Sequence, residues 1–111
     1  MKADKSNPRQ GVGLNALILA VLGRGPAHGY AILTSLRDTS DGVFDLPEGT
    51  LYPILHRLEG QGLLRAKWQS VGGRERKVYS LTKAAHAAVE AECADWRRYA
   101  QAVNQVLGGA T

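Results

Sequence analysis

The fold is decided by residues 49–64, which read GTLYPILHRLEGQGLL. Apolar side chains recur in this stretch at spacings of three and four residues, which predicts a helix with one buried face. That face consists of Leu51, Ile54, Leu55 and Leu58. Thr50 is a suitable N-cap, and Pro53 then falls in the first turn, where a missing N–H is tolerated. Gly60 and Gly62 bracket the end of the helix, and a strand follows at once.

The opposite face of this helix carries hydrogen-bonding groups instead of a dense set of charges. The hydroxyl of Tyr52, the imidazole of His56 and the guanidinium of Arg57 suit the major groove of DNA in size and chemistry. Thr50 and the N-terminus of the helix could hold a phosphate group. Two other interpretations stay open, because Tyr52 could equally pack against the following hairpin and Glu59 could simply neutralise Arg57.

A β-hairpin follows the helix. Apolar and polar side chains alternate over residues 63–70, as expected of a half-buried strand. The pair Gly72-Gly73 is a hairpin signal, and the returning strand covers residues 74–81. The residues predicted to face inward are Leu64, Ala66, Trp68, Tyr79 and Leu81. A helix followed by a basic hairpin predicts a winged helix-turn-helix, in which the hairpin is the wing.

Positive charge is concentrated on this helix and hairpin. Residues 49–83 contain seven basic and two acidic side chains, a net charge of +5, whereas the whole chain carries +4. A localised basic patch is expected of a phosphate-binding face, although a solvated basic surface would look the same in sequence. The side chains predicted to reach phosphates or the minor groove are Arg74, Arg76 and Lys77, with Lys67 and Arg65 as weaker candidates.

Three further segments lie before the decisive helix. Residues 1–10 are polar and are expected to form a mobile tail, which could also contact DNA. Helices are predicted over residues 13–22 and 26–37, and the loop 38–47 that follows has room for a short strand. The expected organisation is therefore a tail (1–10), a DNA-binding domain (11–82) and a C-terminal dimerisation helix (83–108).

The last helix has an apolar seam with coiled-coil-like spacing. The seam consists of Ala85, Val89, Cys93, Trp96, Ala100, Val103 and Leu107. A helix of this length is too long for the winged head to cover, so a second copy of the chain is the expected partner. Leu14 of the first helix is expected to join the dimer interface.

Trp96 is the most informative residue of the seam. Two symmetry-related indoles could stack a planar aromatic effector, in a site also formed by Val89, Cys93 and Ala100. The alternative is that Trp96 simply packs against the winged head. Cys93 could act as a redox switch at the seam, but a small buried apolar residue is the better interpretation.

Other classes of function find little support in the sequence. A chain of 111 residues is expected to form one domain, and its single cysteine excludes an internal disulfide framework. The three histidines have no metal-ligand spacing, and no nucleophile turn or phosphate-binding loop is present, so neither a metal, a cofactor nor catalysis is predicted. No apolar run is long enough to span a membrane and the N-terminus is unlike a secretory signal, which favours a cytoplasmic protein.

Several blocks of the sequence resemble the PadR family of bacterial transcriptional regulators over residues 13–83. The blocks are Gly25-Pro26-Ala27-His28-Gly29-Tyr30, Glu48-Gly49-Thr50-Leu51-Tyr52-Pro53, Leu55, Arg57-Leu58-Glu59, Gly62-Leu63, and, in the wing, Trp68, Gly73-Arg74, Arg76-Lys77, Tyr79 and Leu81-Thr82. With one C-terminal helix, the chain is similar to the short-form members. The resemblance implies a homodimeric DNA-binding regulator, most often a repressor, often released by a small molecule.

The combined prediction is a mainly α protein with a small β-hairpin, of the α+β class, with a winged helix-turn-helix and a long C-terminal dimerisation helix. Each recognition helix would enter a major groove of double-stranded DNA at a pseudo-palindromic operator, with half-sites roughly 34 Å or a multiple of it apart. Two rival interpretations remain, namely a winged-helix adaptor that binds protein instead of DNA, and a regulator without an effector.

Overall fold

A computed structural model describes residues 13–108, so the tail expected over residues 1–10 lies outside the described residues. Four helices and three strands follow one another along the chain. They are α1 (Leu14–Leu22), β1 (Ala27–His28), α2 (Gly29–Thr39), α3 (Glu48–Gly60), β2 (Leu64–Val71), β3 (Arg74–Leu81) and α4 (Lys83–Leu107). This order is that of a winged helix-turn-helix, in which α3 is the helix predicted to recognise DNA and β2–β3 form the wing.

The sheet has one strand more than the predicted hairpin. β3 is central, pairing with β2 on one side and with the short β1 on the other, and all pairs are antiparallel. Ala27 and His28 are extended and pair with Tyr79 and Val78, so α2 begins at Gly29 instead of at the predicted Pro26. A two-residue strand has no periodicity of its own, and only its pairing with β3 reveals it.

One hydrophobic core joins the first three helices to the sheet. Its buried residues are Ile18, Leu19, Leu22, Ile32, Leu36, Leu51, Ile54, Leu55, Leu58, Leu64 and Tyr79. All four residues predicted for the inner face of α3 belong to this core, so the spacing argument for that helix is confirmed. Burying this face fixes which side of α3 remains available to a partner.

The start of α3 differs from the prediction. The helix begins at Glu48, with Pro47 as its N-cap, and Thr50 already lies in the first turn, where its N–H donates to the carbonyl of Pro47 at 3.0 Å. Thr50 is therefore not the N-cap. Pro53 lies inside the helix and cannot donate to the carbonyl of Gly49. Gly49 is exposed, so water can reach this part of the helix.

The loop before α3 is held by a side chain instead of by a strand. α2 continues to Thr39, and the described residues 40–47 contain turns and no strand. The hydroxyl of Ser40 donates to the carbonyl of Leu36 at 2.6 Å and accepts from the N–H of Phe44 at 2.9 Å. The loop had room for a short strand, and none forms within residues 40–47.

α4 begins at an N-cap that also fastens it to the head. The hydroxyl of Thr82 accepts from the N–H of Ala85 at 3.3 Å and donates to the carbonyl of Gly62 at 2.9 Å. The helix ends at Gly108, whose left-handed conformation (φ 78°) closes the last turn. The molecule measures 54 × 32 × 23 Å, and the C-terminal part of α4 is largely exposed. No helix among residues 13–108 is long and apolar enough to cross a membrane.

Candidate nucleic-acid interface

The outward side of α3 carries the side chains that the sequence assigned to DNA. Its exposed positions are Tyr52, Pro53, His56, Arg57 and Gly60. His56 lies midway along this side, with Tyr52 and Pro53 one turn before it and Glu59 and Gly60 one turn after it. Thr50 is half-buried near the helix N-terminus.

Tyr52 rests on the first residue of α2. A Cβ atom added at Gly29 would overlap the ring and the hydroxyl of Tyr52, so only glycine allows this approach. The Tyr52 side chain is nevertheless 42% exposed. It therefore packs on Gly29 of α2, lies close enough to Tyr79 of the wing to influence its pKa, and still presents part of its surface to a partner.

Two charged residues of α3 point to opposite flanks of the helix. Arg57 donates from Nη2 to Oδ1 of Asn15 in α1 at 3.4 Å. Glu59 instead approaches the wing, where its Oε1 lies 3.7 Å from Nζ of Lys77. Glu59 therefore pairs with Lys77 and does not neutralise Arg57. Within residues 13–108, Arg57 and Glu59 make these polar side-chain contacts, and neither Tyr52 nor His56 makes a side-chain hydrogen bond or an ion pair.

The register of the wing places its basic residues on two different faces. Successive side chains of a strand alternate between faces, and the inner face contains the buried Leu64 and Tyr79. We call the other side the outer basic face, and it carries Arg65, Lys67, Arg74 and Arg76. None of its eight positions is acidic. Lys77 lies on the inner face, beside α3.

Burial falls steeply along the inner face of the wing. Leu64 is buried and Ala66 is half-buried, but Trp68 is 63% exposed. The alternation of the strand was predicted correctly, yet the placement of Trp68 in the core is wrong. The hairpin extends beyond the helices that cover its base, so the same face passes from core to solvent.

Arg76 of the wing contacts His28 of β1 through a polar pair. Nη1 of Arg76 lies 2.7 Å from Nε2 of His28. Because a guanidinium only donates, Nε2 must carry no proton in this contact. The contact joins the outer basic face to β1.

A cluster of π-systems and a carboxylate surrounds the ammonium group of Lys77. Besides Glu59, Nζ of Lys77 lies 5.7 Å from the ring centroid of Tyr79 and 6.0 Å from that of Trp68. Burial, then Glu59, then Tyr52 raise the pKa of the Tyr79 phenol above its ordinary value of 10.0. Each of these groups lies between the inner face of the wing and α3.

An apolar groove lies between α1 and α4, away from the wing. It has a volume of about 410 Å³ and is lined by Ala16, Leu17, Ala20, Phe44, Val89, Glu92, Cys93, Trp96 and Arg97. Three of the four predicted effector residues line it, and Ala100 does not. Trp96 is 37% exposed, and its ring centroid lies 5.5 Å from that of Tyr99.

The apolar seam of α4 divides into a buried and an exposed part. Ala85 is fully buried within its own chain, so it belongs to the interior of the head and not to the predicted dimer interface. Val89 packs against the core. Near the other end, a second apolar surface consists of Tyr99, Ala102, Val103, Val106 and Leu107. Val106 and Leu107 are 86% and 76% exposed.

Some contributors to these sites were not predicted from the sequence. The groove includes Ala16, Ala20 and Phe44, which come from α1 and from the loop before α3. The Glu59–Lys77 contact joins residues that are distant in the chain. No periodic signal marks such contacts, because each depends on how two elements pack. The described residues contain no group of three or more His, Cys, Asp or Glu that could hold a metal ion.

The fold and the wing define a winged helix-turn-helix protein. Residues 18–91 match the Transcriptional regulator PadR-like family, which is about two thirds of the chain. The chain belongs to this PadR family. The family and the named relatives are transcriptional regulators and not enzymes.

Individual relatives agree with this assignment. Over 61 residues, the chain is 48% identical to Transcriptional regulator Rv3488 of Mycobacterium tuberculosis, an alignment that covers 55% of this chain and 54% of that protein. The chain thus spans about half the length of this relative. The chain is 35% identical to a PadR family transcriptional regulator from Eggerthella lenta whose crystal structure is known. The two structures superpose with a TM-score of 0.71, over 90% of this chain and 84% of that one. A PadR family transcription regulator from Clostridium difficile is 30% identical, with coverages of 84% and 96% and a TM-score of 0.74.

Proposed function

We propose that this PadR-family regulator is a homodimer that binds a pseudo-palindromic operator in double-stranded DNA and represses transcription until a planar or aromatic molecule releases it. The observation that carries the proposal is the outer basic face of the wing. Four cations without an acidic neighbour on that face are suited to phosphates. They belong to the same head as a recognition helix whose inner side is buried and whose outer side is exposed.

Each part of the head has its own role in this proposal. His56, at the centre of the exposed side of α3, reads base edges, with Tyr52 and Arg57 on its flanks. The N-terminus of α3 near Thr50 contacts a phosphate. The outer basic face follows the phosphate backbone beside the groove, which fixes the register of the protein without reading sequence.

The proposed dimer uses the exposed part of α4. Val103 and Leu107 belong to a surface of apolar side chains near the end of this helix, and they continue the seam of Cys93, Trp96 and Ala100. An apolar surface of this kind favours association with a second copy, because a two-fold axis brings identical surfaces together. Leu14 of α1 is proposed to contribute at its edge.

The proposed effector occupies the groove between α1 and α4. Trp96 offers an aromatic face, and Val89 and Cys93 supply apolar walls. Phe44 also lines the groove and lies in the loop that leads into α3 at Glu48. A ligand that displaces Phe44 would therefore act on the start of the recognition helix, and it shifts the equilibrium by its differential affinity for the two forms.

DNA binding is tested by a gel shift of the purified protein against its own upstream region at two salt concentrations, with excess competitor DNA. We expect a specific complex with two chains per operator. Its affinity should fall as salt rises, and each phosphate contact should add roughly 0.9 to the slope of log K against log salt. If neither this region nor any member of a random-sequence pool is bound, the protein-binding adaptor replaces the proposal.

The effector is tested with Trp96→Ala. We expect planar aromatic compounds to bind the wild type and a Trp68→Ala control, whose altered indole lies on the wing, with equal affinity in isothermal titration calorimetry. The Trp96→Ala variant should lose this binding. Equal affinities in all three proteins, for every compound tested, would favour a regulator without an effector.

A further inference from the structure

Lys77 differs from the other basic residues of the wing in where it points. Arg74 and Arg76, its neighbours in β3, lie on the outer basic face. Lys77 shares the inner face with Tyr79, which is two residues away and 5% exposed. Its side chain is therefore directed toward α3, whereas the sequence assigned it to phosphates.

The groups around the ammonium of Lys77 hold it on that side. The Glu59 carboxylate lies 3.7 Å from Nζ, and both side chains are about two thirds covered. The Tyr79 ring, at 5.7 Å, and the Trp68 ring, at 6.0 Å, are within the distance at which an aromatic face attracts a cation. Ion pairing and cation–π attraction thus act together on one ammonium group.

This cluster lies where apolar packing between the wing and α3 ends. Ala66 and Tyr79 form the preceding cross-strand pair on the inner face, and Trp68 pairs with Lys77 one step further out. Because Trp68 is largely exposed, it adds little buried area at this level. The Lys77–Glu59 pair therefore links the free part of the wing to the last turns of α3.

We propose that Lys77 is a positioning residue for operator binding, which fixes the angle between the wing and the recognition helix through Glu59, and that it is not a phosphate ligand. The inference rests on the proposed function, since it concerns DNA binding by this head. A rotation of the wing relative to α3 would prevent the two elements from engaging their groove and phosphates at the same time.

The test compares Lys77→Met, Glu59→Gln, the double variant and the control Arg74→Met, with operator affinity measured over a salt series. Glu59→Gln is the decisive variant. Removing a negative charge beside DNA should strengthen binding through the field alone, so a loss of affinity can come only from lost positioning. We expect each single variant to lose about three-fold and the double variant to lose no more than either.

The salt dependence separates the two roles of a lysine. A phosphate ligand contributes roughly 0.9 to the slope of log K against log salt, whereas a positioning residue contributes none. Arg74→Met should therefore lower the slope, and Lys77→Met should leave it unchanged. As a second variant, the exchange Glu59→Lys with Lys77→Glu keeps the net charge and should recover affinity relative to Lys77→Glu alone.

Two results would overturn the inference. A lower slope in Lys77→Met, together with equal or tighter binding by Glu59→Gln, would make Lys77 a phosphate ligand and leave the proposed function intact. Failure of the wild type to bind any DNA would instead remove the proposed function and this inference with it. Urea unfolding of each free variant confirms that the affinities compare folded proteins.

Discussion

At the scale of single residues, Gly29 and Tyr52 depend on each other. Gly29 lets α2 begin directly beneath the Tyr52 ring, and Tyr52 in turn occupies the exposed side of α3. Ile54 and Leu55 fix that helix from its buried side. The surface proposed to read DNA is thus shaped by a glycine that itself contacts no partner.

Gly29→Ala should displace the Tyr52 ring and weaken operator binding. Because the methyl group overlaps the ring, we expect a loss of about 1 kcal/mol in the free energy of unfolding, measured by urea denaturation. Gly60→Ala is the control, since its Cβ would meet nothing within 4 Å and alanine favours a helix. In a Tyr52→Ala background the cost of Gly29→Ala should vanish, and a cost that persists would show that the clash is not with Tyr52.

Tyr79 gives the fold a dependence on alkaline pH. Its pKa is raised in the folded state, first by burial and then by Glu59 and Tyr52, so the unfolded chain releases this proton at a lower pH. The stabilising contribution is complete below about pH 10 and is lost as the pH rises from the ordinary tyrosine pKa through the raised one. Between about pH 8 and 11, the free energy of unfolding should fall less steeply with pH for Tyr79→Phe than for a Tyr30→Phe control. The Tyr30 ring is largely exposed. Equal slopes would contradict this assignment.

At the scale of elements, periodic patterns predicted the long helices and strands correctly and missed the short ones. The buried face of α3, the wing strands and the 25-residue α4 follow from spacings of three, four and two that extend over many residues. β1 was missed because two residues have no period. The true start of α3 was missed because Thr50 is a better capping residue than Pro47, yet the chain is already helical at Glu48.

The same distinction applies to the candidate interface. The sequence located the basic hairpin, and strand alternation then decided the face of each residue once the register was known. It could not predict that Lys77 faces Glu59, or that Trp68 is largely exposed, because both depend on how far the hairpin extends past the helices.

Thr82 connects α4 to the head, and its loss should be measurable. Thr82→Ala removes the acceptor for the N–H of Ala85 and the donor to the carbonyl of Gly62. The free energy of unfolding should therefore be about 1–2 kcal/mol lower than in the wild type. Thr82→Ser keeps the hydroxyl and should remain close to the wild type. If both variants lose the same stability in urea denaturation, the methyl group and not the hydroxyl makes the contribution.

At the scale of the whole molecule, the long axis of 54 Å reflects a helix that one head does not cover. The first turns of α4 pack on the head through Ala85 and Val89. In its last turns Val103 is half-buried, whereas Val106 and Leu107 are exposed to solvent. A dimer through this part of α4 would give a pair of heads a fixed separation, and it would do so independently of the contacts inside each head.

Val103→Glu should therefore separate assembly from folding. A carboxylate in the apolar surface of α4 would be buried without a partner in the dimer but solvated in the monomer, so we expect the mass from light scattering to halve. Asn104→Glu adds the same charge at the adjacent exposed position and should leave the dimer intact. The single heads should keep their fold by circular dichroism, because residue 103 lies outside the core.

DNA binding by Val103→Glu tests whether the dimer is needed to engage both half-sites. A monomer engages one half-site, so its salt slope should be about half that of the wild type and its operator affinity should be at least about 100-fold weaker. A full slope with a dimeric mass would place the interface elsewhere, and the groove between α1 and α4 beside Trp96 would be the next surface to alter. Halved mass with unchanged operator affinity would mean that each head binds alone, and that α4 serves the effector site instead of spacing the heads.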